Sequence, residues 1–144
     1  MTTIGILGAG HVGTNLAKAA IAHGYEVVIA NSKSPDTLKD LVGELGPHAV
    51  AATAADAAER GDFAVVAVYL RAIDQIPVEP LAGKVVIGTM NYIPELVGRV
   101  TEIDNGTTTA VGLLQTHLPE SWVVCGFSMI DAAEMSGDGH PQGR

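Results

Sequence analysis

The sequence predicts an α/β fold: a doubly wound parallel sheet of six strands in a single domain, with helices on both faces. Three observations predict it. Short apolar runs of strand length alternate with helical patterns along the chain. The first such strand, helix and strand are joined through a glycine-rich loop, as in a βαβ unit. Apolar residues make up 47% of the chain but aromatics only 4%, so the core is built from Ala, Val, Leu and Ile. That composition suits a sheet buried on both faces.

The first strand is Ile4-Gly5-Ile6-Leu7. It runs into Gly8-Ala9-Gly10-His11-Val12-Gly13, a G-x-G-x-x-G loop. A helix follows, with Val12, Leu16, Ala19, Ala20 and His23 on one face and Gly24 as its stop. Glu26–Ala30 is the second strand. Gly8 permits the tight turn, Gly10 lets backbone approach a pyrophosphate, and Gly13 lets the helix lie close to the strand. The helix N-terminus offers unpaired N–H groups and partial positive charge to phosphates. This order of elements marks a Rossmann-type dinucleotide site, against the plainer alternative of a structural turn.

The end of the second strand selects the dinucleotide. An NAD site usually carries Asp or Glu there to bond the ribose 2′-OH. This chain has Asn31-Ser32-Lys33, with no carboxylate until Asp36. An amide, a hydroxyl and an ammonium suit a 2′-phosphate, which an acid would repel. The expectation is NADP(H); the alternative is an ordinary polar turn.

A second helix is expected over Pro35–Leu45, with Ser34 as N-cap and Leu38, Leu41, Val42 and Leu45 inward. His48–Ala51 is the third strand, and Thr53 caps a small helix over Ala54–Arg60 that Gly61 closes. Asp62–Val68 is the fourth strand, buried on both faces, and ends at Tyr69. Ligands lie outside the carboxyl ends of such strands. Val68 and Tyr69 therefore border the nicotinamide half of the site, with Tyr69 either stacking there or covering the sheet edge half-buried. Ala72–Ile76 is a helical turn and Leu81–Lys84 a turn. Val85–Gly88 is the fifth strand, leading to Met90 and Asn91. Asn91 either holds the cofactor amide or a substrate carbonyl, or forms an Asx turn before Pro94. Pro94–Val100 reads as a short helix. Thr107 or Thr108 caps a further helix to about Leu118, with Val111, Leu114 and Leu118 inward. Trp122–Phe127 is the sixth strand. The expected strand order is 3-2-1-4-5-6. Residues 1–135 form the dinucleotide-binding domain, and the polar, glycine-rich stretch 136–144 is expected to be a disordered tail.

Net charge is −8, which excludes nucleic acid and anionic membrane surfaces as expected partners. One cysteine, Cys125, cannot form an internal disulfide and reads as a small core residue. No Cys/His spacing suggests a metal, and His23, His48, His117 and His140 read as surface or cap residues. Asp131 and Glu134 sit i, i+3 on an expected short helix. The chain opens into a strand rather than a signal peptide, and no apolar run approaches membrane-spanning length. The expected compartment is the cytoplasm.

Two blocks, Ile4–Gly13 and Val28–Leu38, carry a resemblance to the F420-dependent NADP oxidoreductases, the NADPH:coenzyme F420 reductases. The Met90-Asn91 turn and the run from His117-Leu118-Pro119 to Val123-Val124 add to it. The resemblance implies hydride transfer between NADP(H) and the deazaflavin coenzyme F420, with the rings stacked in a cleft and no catalytic side chain. It implies that Gly8, Gly10, His11, Val12 and Gly13 touch the pyrophosphate. Asn31, Ser32 and Lys33 would hold the 2′-phosphate, and Val68, Tyr69, Met90 and Asn91 would lie near the nicotinamide. In the family the sixth strand tends to end Lys-Ala-Phe-Asn, where this chain has Cys125-Gly126-Phe127-Ser128. Family members also continue further, with segments that build the deazaflavin pocket and the dimer. The expectation is a shortened relative whose acceptor pocket is incomplete or borrowed from a second subunit.

The sixth strand would then be an uncovered apolar edge, which predicts a homodimer or larger assembly. Two other functions stay open: a reductase of an imine, carbonyl or flavin, and a non-catalytic dinucleotide-sensing module.

Overall fold

The computed structural model describes residues 1–135 and Gly137; the rest of the expected tail lies outside the described residues. The strands are β1 (Thr3–Leu7), β2 (Glu26–Ala30), β3 (Ala49–Ala51), β4 (Phe63–Val66), β5 (Val85–Gly88) and β6 (Trp122–Cys125). The helices are α1 (His11–Ala22), α2 (Lys39–Leu45), α3 (Ala54–Arg60), α4 (Pro94–Val97), α5 (Thr101–Asp104) and α6 (Ala110–His117). The strands form one sheet in the order β3-β2-β1-β4-β5-β6, the expected order. Every neighbouring pair is parallel. This is a Rossmann-type sheet.

Alternation along each strand divides the core. Ile4, Ile6, Val27 and Ile29 meet Leu16 and Ala17 of α1 on one face. Leu7, Val66 and Val86 meet Ala58 of α3 and Leu114 of α6 on the other. The buried stripe of α1 is Gly13, Leu16 and Ala17. The predicted face was rotated slightly from this one: His23 is exposed, and its Nδ1 lies 2.8 Å from Ala19 O at the helix end. Gly13 and Ala17 in this stripe let the helix axis lie close to the sheet, while Leu16 fills the space between them.

The closest approach is on the opposite face. A Cβ at Gly5 would overlap the carbonyl of Ala57, and one at Gly61 would lie 2.6 Å from Gly5 N. The backbone of α3 therefore rests directly on β1. Gly61 has φ −70°, which any residue adopts, so it is needed for this crossing rather than to end the helix. The carbonyls at the end of α3 have an unexpected partner. Lys84 Nζ donates to Ala58 O, Glu59 O and Gly61 O at 2.7, 2.6 and 2.8 Å. A cation at a helix C-terminus also complements its dipole.

Several local expectations are corrected. Pro35–Leu45 splits into a 3₁₀ turn, Pro35–Leu38, followed by α2. The Ser34 side chain makes no cap hydrogen bond; its carbonyl instead accepts from Thr37 N at 3.1 Å. Thr53 does cap α3, accepting from Asp56 N at 3.1 Å. The cap of α6 is Thr109, not Thr107 or Thr108, and it accepts from Gly112 N at 3.0 Å. Thr107 is spent on the side chain of Asn105. The helix expected over Pro94–Val100 is cut to the single turn α4, because Gly98 at φ +82° breaks the run, and the separate turn α5 follows. The helical turn expected over Ala72–Ile76 is a 3₁₀ turn over Leu70–Gln75. β4 is shorter than Asp62–Val68. The Asp62 carboxylate instead accepts from Thr3 N at 2.8 Å. Asp131 and Glu134 lie in turns rather than on a helix.

β6 stops at Cys125, and Phe127 sits at φ 61°, a conformation that costs a large side chain free energy. Cys125 is exposed, not a core residue. Only Val123 of β6 packs into the core, against the α6 side. The other face leaves Trp122 69% and Val124 47% exposed, so the expected bare apolar edge is present.

Candidate functional site

The parallel ladder continues past the strand ends and aligns four loops. Gly8 N donates to Ala30 O, Ala67 N to Leu7 O and Thr89 N to Val66 O, at 2.9, 2.8 and 3.1 Å. These bonds set the glycine loop, the β2 terminus, the β4 terminus and the β5 terminus side by side. Between them lies a cleft of about 560 Å³.

The three glycines of the loop occupy different surroundings. Gly8 is at φ +115°, and a Cβ there would overlap Ala67 O. A Cβ on Gly13 would overlap Gly8 O, so the first turn of α1 lies against the loop. Above Gly10 there is no protein atom within 4 Å of a Cβ position. Bare main chain there faces open space. Gly10 is also the N-cap of α1, which has no side-chain cap and no acidic residue in its first turn. The helix thus presents its N-terminal N–H groups uncompensated, a favourable setting for an anion.

The cleft gathers Gly8, Gly10, His11 and Val12 from the glycine loop and the start of α1, Asn31 and Ser32 from just after β2, Val68 and Tyr69 from just after β4, and Met90 and Asn91 from just after β5. Gly13 packs behind the loop, and Lys33 lies exposed beside the cleft rather than in its lining. Tyr69 is 61% exposed, so it does not cover the sheet edge half-buried. The Arg71 guanidinium carbon lies 5.6 Å from the Tyr69 ring centroid, within cation–π range. Asn91 forms no Asx turn; its Nδ2 donates to Ser128 O at 3.0 Å and ties the β5 terminus to the loop after β6.

Sequence reasoning missed one wall. Ile93, Leu96 and Val97 also line the cleft, and their i, i+3, i+4 spacing was the available signal. This segment is braced by Tyr92, whose hydroxyl accepts from Val100 N at 2.9 Å and donates to Asp104 Oδ1 at 2.8 Å. Desolvation, with the Asp104 carboxylate adding to it, raises the Tyr92 pKa and keeps the phenol in its donating form.

Among the described residues, no group of three or more His, Cys, Asp or Glu side chains is placed to hold a metal. No described helix is long and apolar enough to cross a membrane. His48 pairs with Glu26 at 2.7 Å and His117 Nε2 lies 2.8 Å from Ile76 O, so both are occupied away from the cleft. His140 lies outside the described residues.

The family model described as NADP oxidoreductase coenzyme F420-dependent matches residues 3–92. The chain belongs to that family. The matched span runs from β1 through the Asn91 turn and so includes all four loops of the cleft. Among solved structures, a hypothetical protein from Sinorhizobium meliloti is 27% identical with a TM-score of 0.83, over 99% of this chain and 69% of that one. A provisionally named F420-dependent NADP reductase from Arthrobacter sp. FB24 is 26% identical with a TM-score of 0.81, over 96% and 67%. An imine reductase from Myxococcus stipitatus in complex with NADP⁺ is 25% identical with a TM-score of 0.64, over 93% and 43%. No curated protein matches the chain. Family and neighbours together support an NAD(P)-dependent oxidoreductase.

Proposed function

We propose that the cleft binds NADP(H) and that the protein transfers hydride between it and a deazaflavin of the coenzyme F420 class. The observation that carries the proposal is the open, side-chain-free space above Gly10 at the uncapped start of α1, flanked by Asn31-Ser32-Lys33. Gly8, Gly10, His11 and Val12 meet the pyrophosphate, with Gly13 holding the helix against the loop. Ser32 and Lys33 receive the 2′-phosphate beside Asn31. Lys33 belongs to neither of the two Lys/Arg–carboxylate ion pairs among the described residues. The first following acid, Asp36, is held by Lys39 at 3.1 Å. Val68, Tyr69, Met90 and Asn91 orient the reacting ring and exclude water. When bound, NADPH supplies a hydride, and solvent supplies the proton that completes reduction of the acceptor. The protein's contribution is binding and orientation, and no acid or base is required of it.

The test is to mix the protein and NADPH with F420, flavins and small imines or carbonyls, and to follow loss of the reduced nicotinamide band. Oxidation with F420 supports the proposal. Turnover of an imine instead would support the second reading, which the Myxococcus neighbour favours. Tight NADPH binding with no oxidation by any acceptor would leave a dinucleotide sensor. Lys33→Glu is expected to weaken NADPH relative to NADH by about 1–3 kcal/mol, the effect of reversing a charge-assisted contact. Equal effects on both cofactors would reduce Lys33 to surface charge.

We also propose a homodimer or larger assembly that covers β6, where Trp122, Val124, Met129 and Ile130 are exposed. Light scattering is expected to give at least twice the chain mass. A monomer at high concentration would count against the assembly.

A further inference from the structure

We infer that Thr37, six residues beyond Asn31 and outside the cleft lining, is a positioning residue for the 2′-phosphate pocket. The inference rests on the NADP(H) reading above and adds to it the device that shapes the pocket. Asn31 was expected to be a direct phosphate ligand. Its side chain is already engaged within the loop. Oδ1 accepts from Lys33 N at 3.0 Å, closing an Asx turn, and Nδ2 donates to Thr37 Oγ1 at 2.8 Å. The same hydroxyl donates to Ser34 O at 2.7 Å, and Ser34 O also accepts from Thr37 N at 3.1 Å.

The Thr37 hydroxyl is therefore the joint between the Asn31 amide and the Ser34 carbonyl. With both bonds made, the backbone of Ser32, Lys33 and Ser34 is held from each end before any ligand arrives. The two groups suited to a phosphate, the Ser32 hydroxyl and the Lys33 ammonium, project from this held segment. Preorganisation of this kind lowers the entropy lost on binding. It benefits only a ligand that reaches the segment, namely a dinucleotide with a 2′-phosphate. NADH lacks that group and gains nothing from the order.

Thr37 is exposed, so substitution leaves the core intact. Thr37→Val removes the hydroxyl at nearly constant shape. Binding of NADPH, NADH and the fragments 2′,5′-ADP and 5′-ADP is to be measured by titration calorimetry for the wild type, Thr37→Val and Thr37→Ser. Thr37→Val is expected to raise the Kd of NADPH and 2′,5′-ADP about tenfold and to leave NADH and 5′-ADP unchanged. Thr37→Ser, which keeps the hydroxyl, is expected to restore the wild-type values. A purely structural role in the 3₁₀ turn would lower the melting temperature without changing the ratio of the two cofactors. If the wild type prefers NADPH and Thr37→Val keeps that preference, or if Thr37→Ser fails to restore it, the positioning role is overturned. If the wild type itself binds NADPH and NADH alike, the NADP(H) reading falls instead. Should Thr37→Val fold poorly, Asn31→Ala breaks the same joint from its other side and is expected to shift the ratio in the same direction.

Discussion

Gly10→Ala is expected to cost at least a hundredfold in affinity for NADPH and NADH alike while the melting temperature stays at the wild-type value. The site has φ −80° and ψ −160°, which alanine adopts freely, and its Cβ would touch no protein atom. The methyl group enters only the space assigned to the pyrophosphate. It would hold the phosphates off the main-chain N–H groups, and losing such charge-assisted bonds is worth about 3 kcal/mol. Gly13→Ala acts on the other quantity. Its Cβ would overlap the Gly8 carbonyl, and Gly8 is itself pinned at φ +115° against Ala67 O. Main chain must move, so a destabilisation of about 3 kcal/mol is expected. For a domain of this size that is a fall in Tm of roughly 6–12 °C. Calorimetric titration and thermal melts of the two variants check both statements. Unimpaired binding by Gly10→Ala would remove the pyrophosphate from this loop.

Lys84→Met is expected to destabilise the fold by about 3 kcal/mol, because a charged donor to three carbonyls is lost and those carbonyls lose their partner. Methionine keeps an unbranched apolar stem, so the effect isolates the ammonium. Urea denaturation read by circular dichroism measures it, with cofactor affinity of the folded protein expected to stay unchanged. A midpoint equal to the wild type's would mean that water replaces the ammonium at the α3 terminus without loss.

The sheet and its strand order were legible because they follow from local patterns: short apolar runs, alternating helices and a glycine loop in sequence. The cleft was legible for a related reason, since carboxyl ends of strands converge wherever such a sheet forms. What escaped was held by partners distant in the chain. Lys84 reaches α3 across 23 to 26 positions, and Asn91 reaches Ser128 across 37. No periodicity reports such contacts. The Gly5–Gly61 crossing was missed because each glycine had a sufficient local explanation, one inside a strand and one after a helix. Caps were misplaced by one or two residues where threonines cluster at 107–109 and each has the right chemistry. Cys125 was read as buried because β6 looks like an interior strand. Its apolar pattern is that of a covered face, and the described residues cover only the α6 side.

The central place of β1 has a bearing on how the protein is made. β1 leaves the ribosome first, yet one of its edges must wait for β4, since the Asp62 side chain docks on Thr3 across 59 positions. At about 5–20 residues per second, translation leaves that edge open for several seconds. During this interval the nascent chain displays an apolar strand with unsatisfied amides, the form in which such chains associate wrongly. Pairings so distant in sequence also slow folding after release. Slow translation across the stretch between β1 and β4 lengthens this interval and is therefore the condition under which this protein is expected to depend most on chaperones.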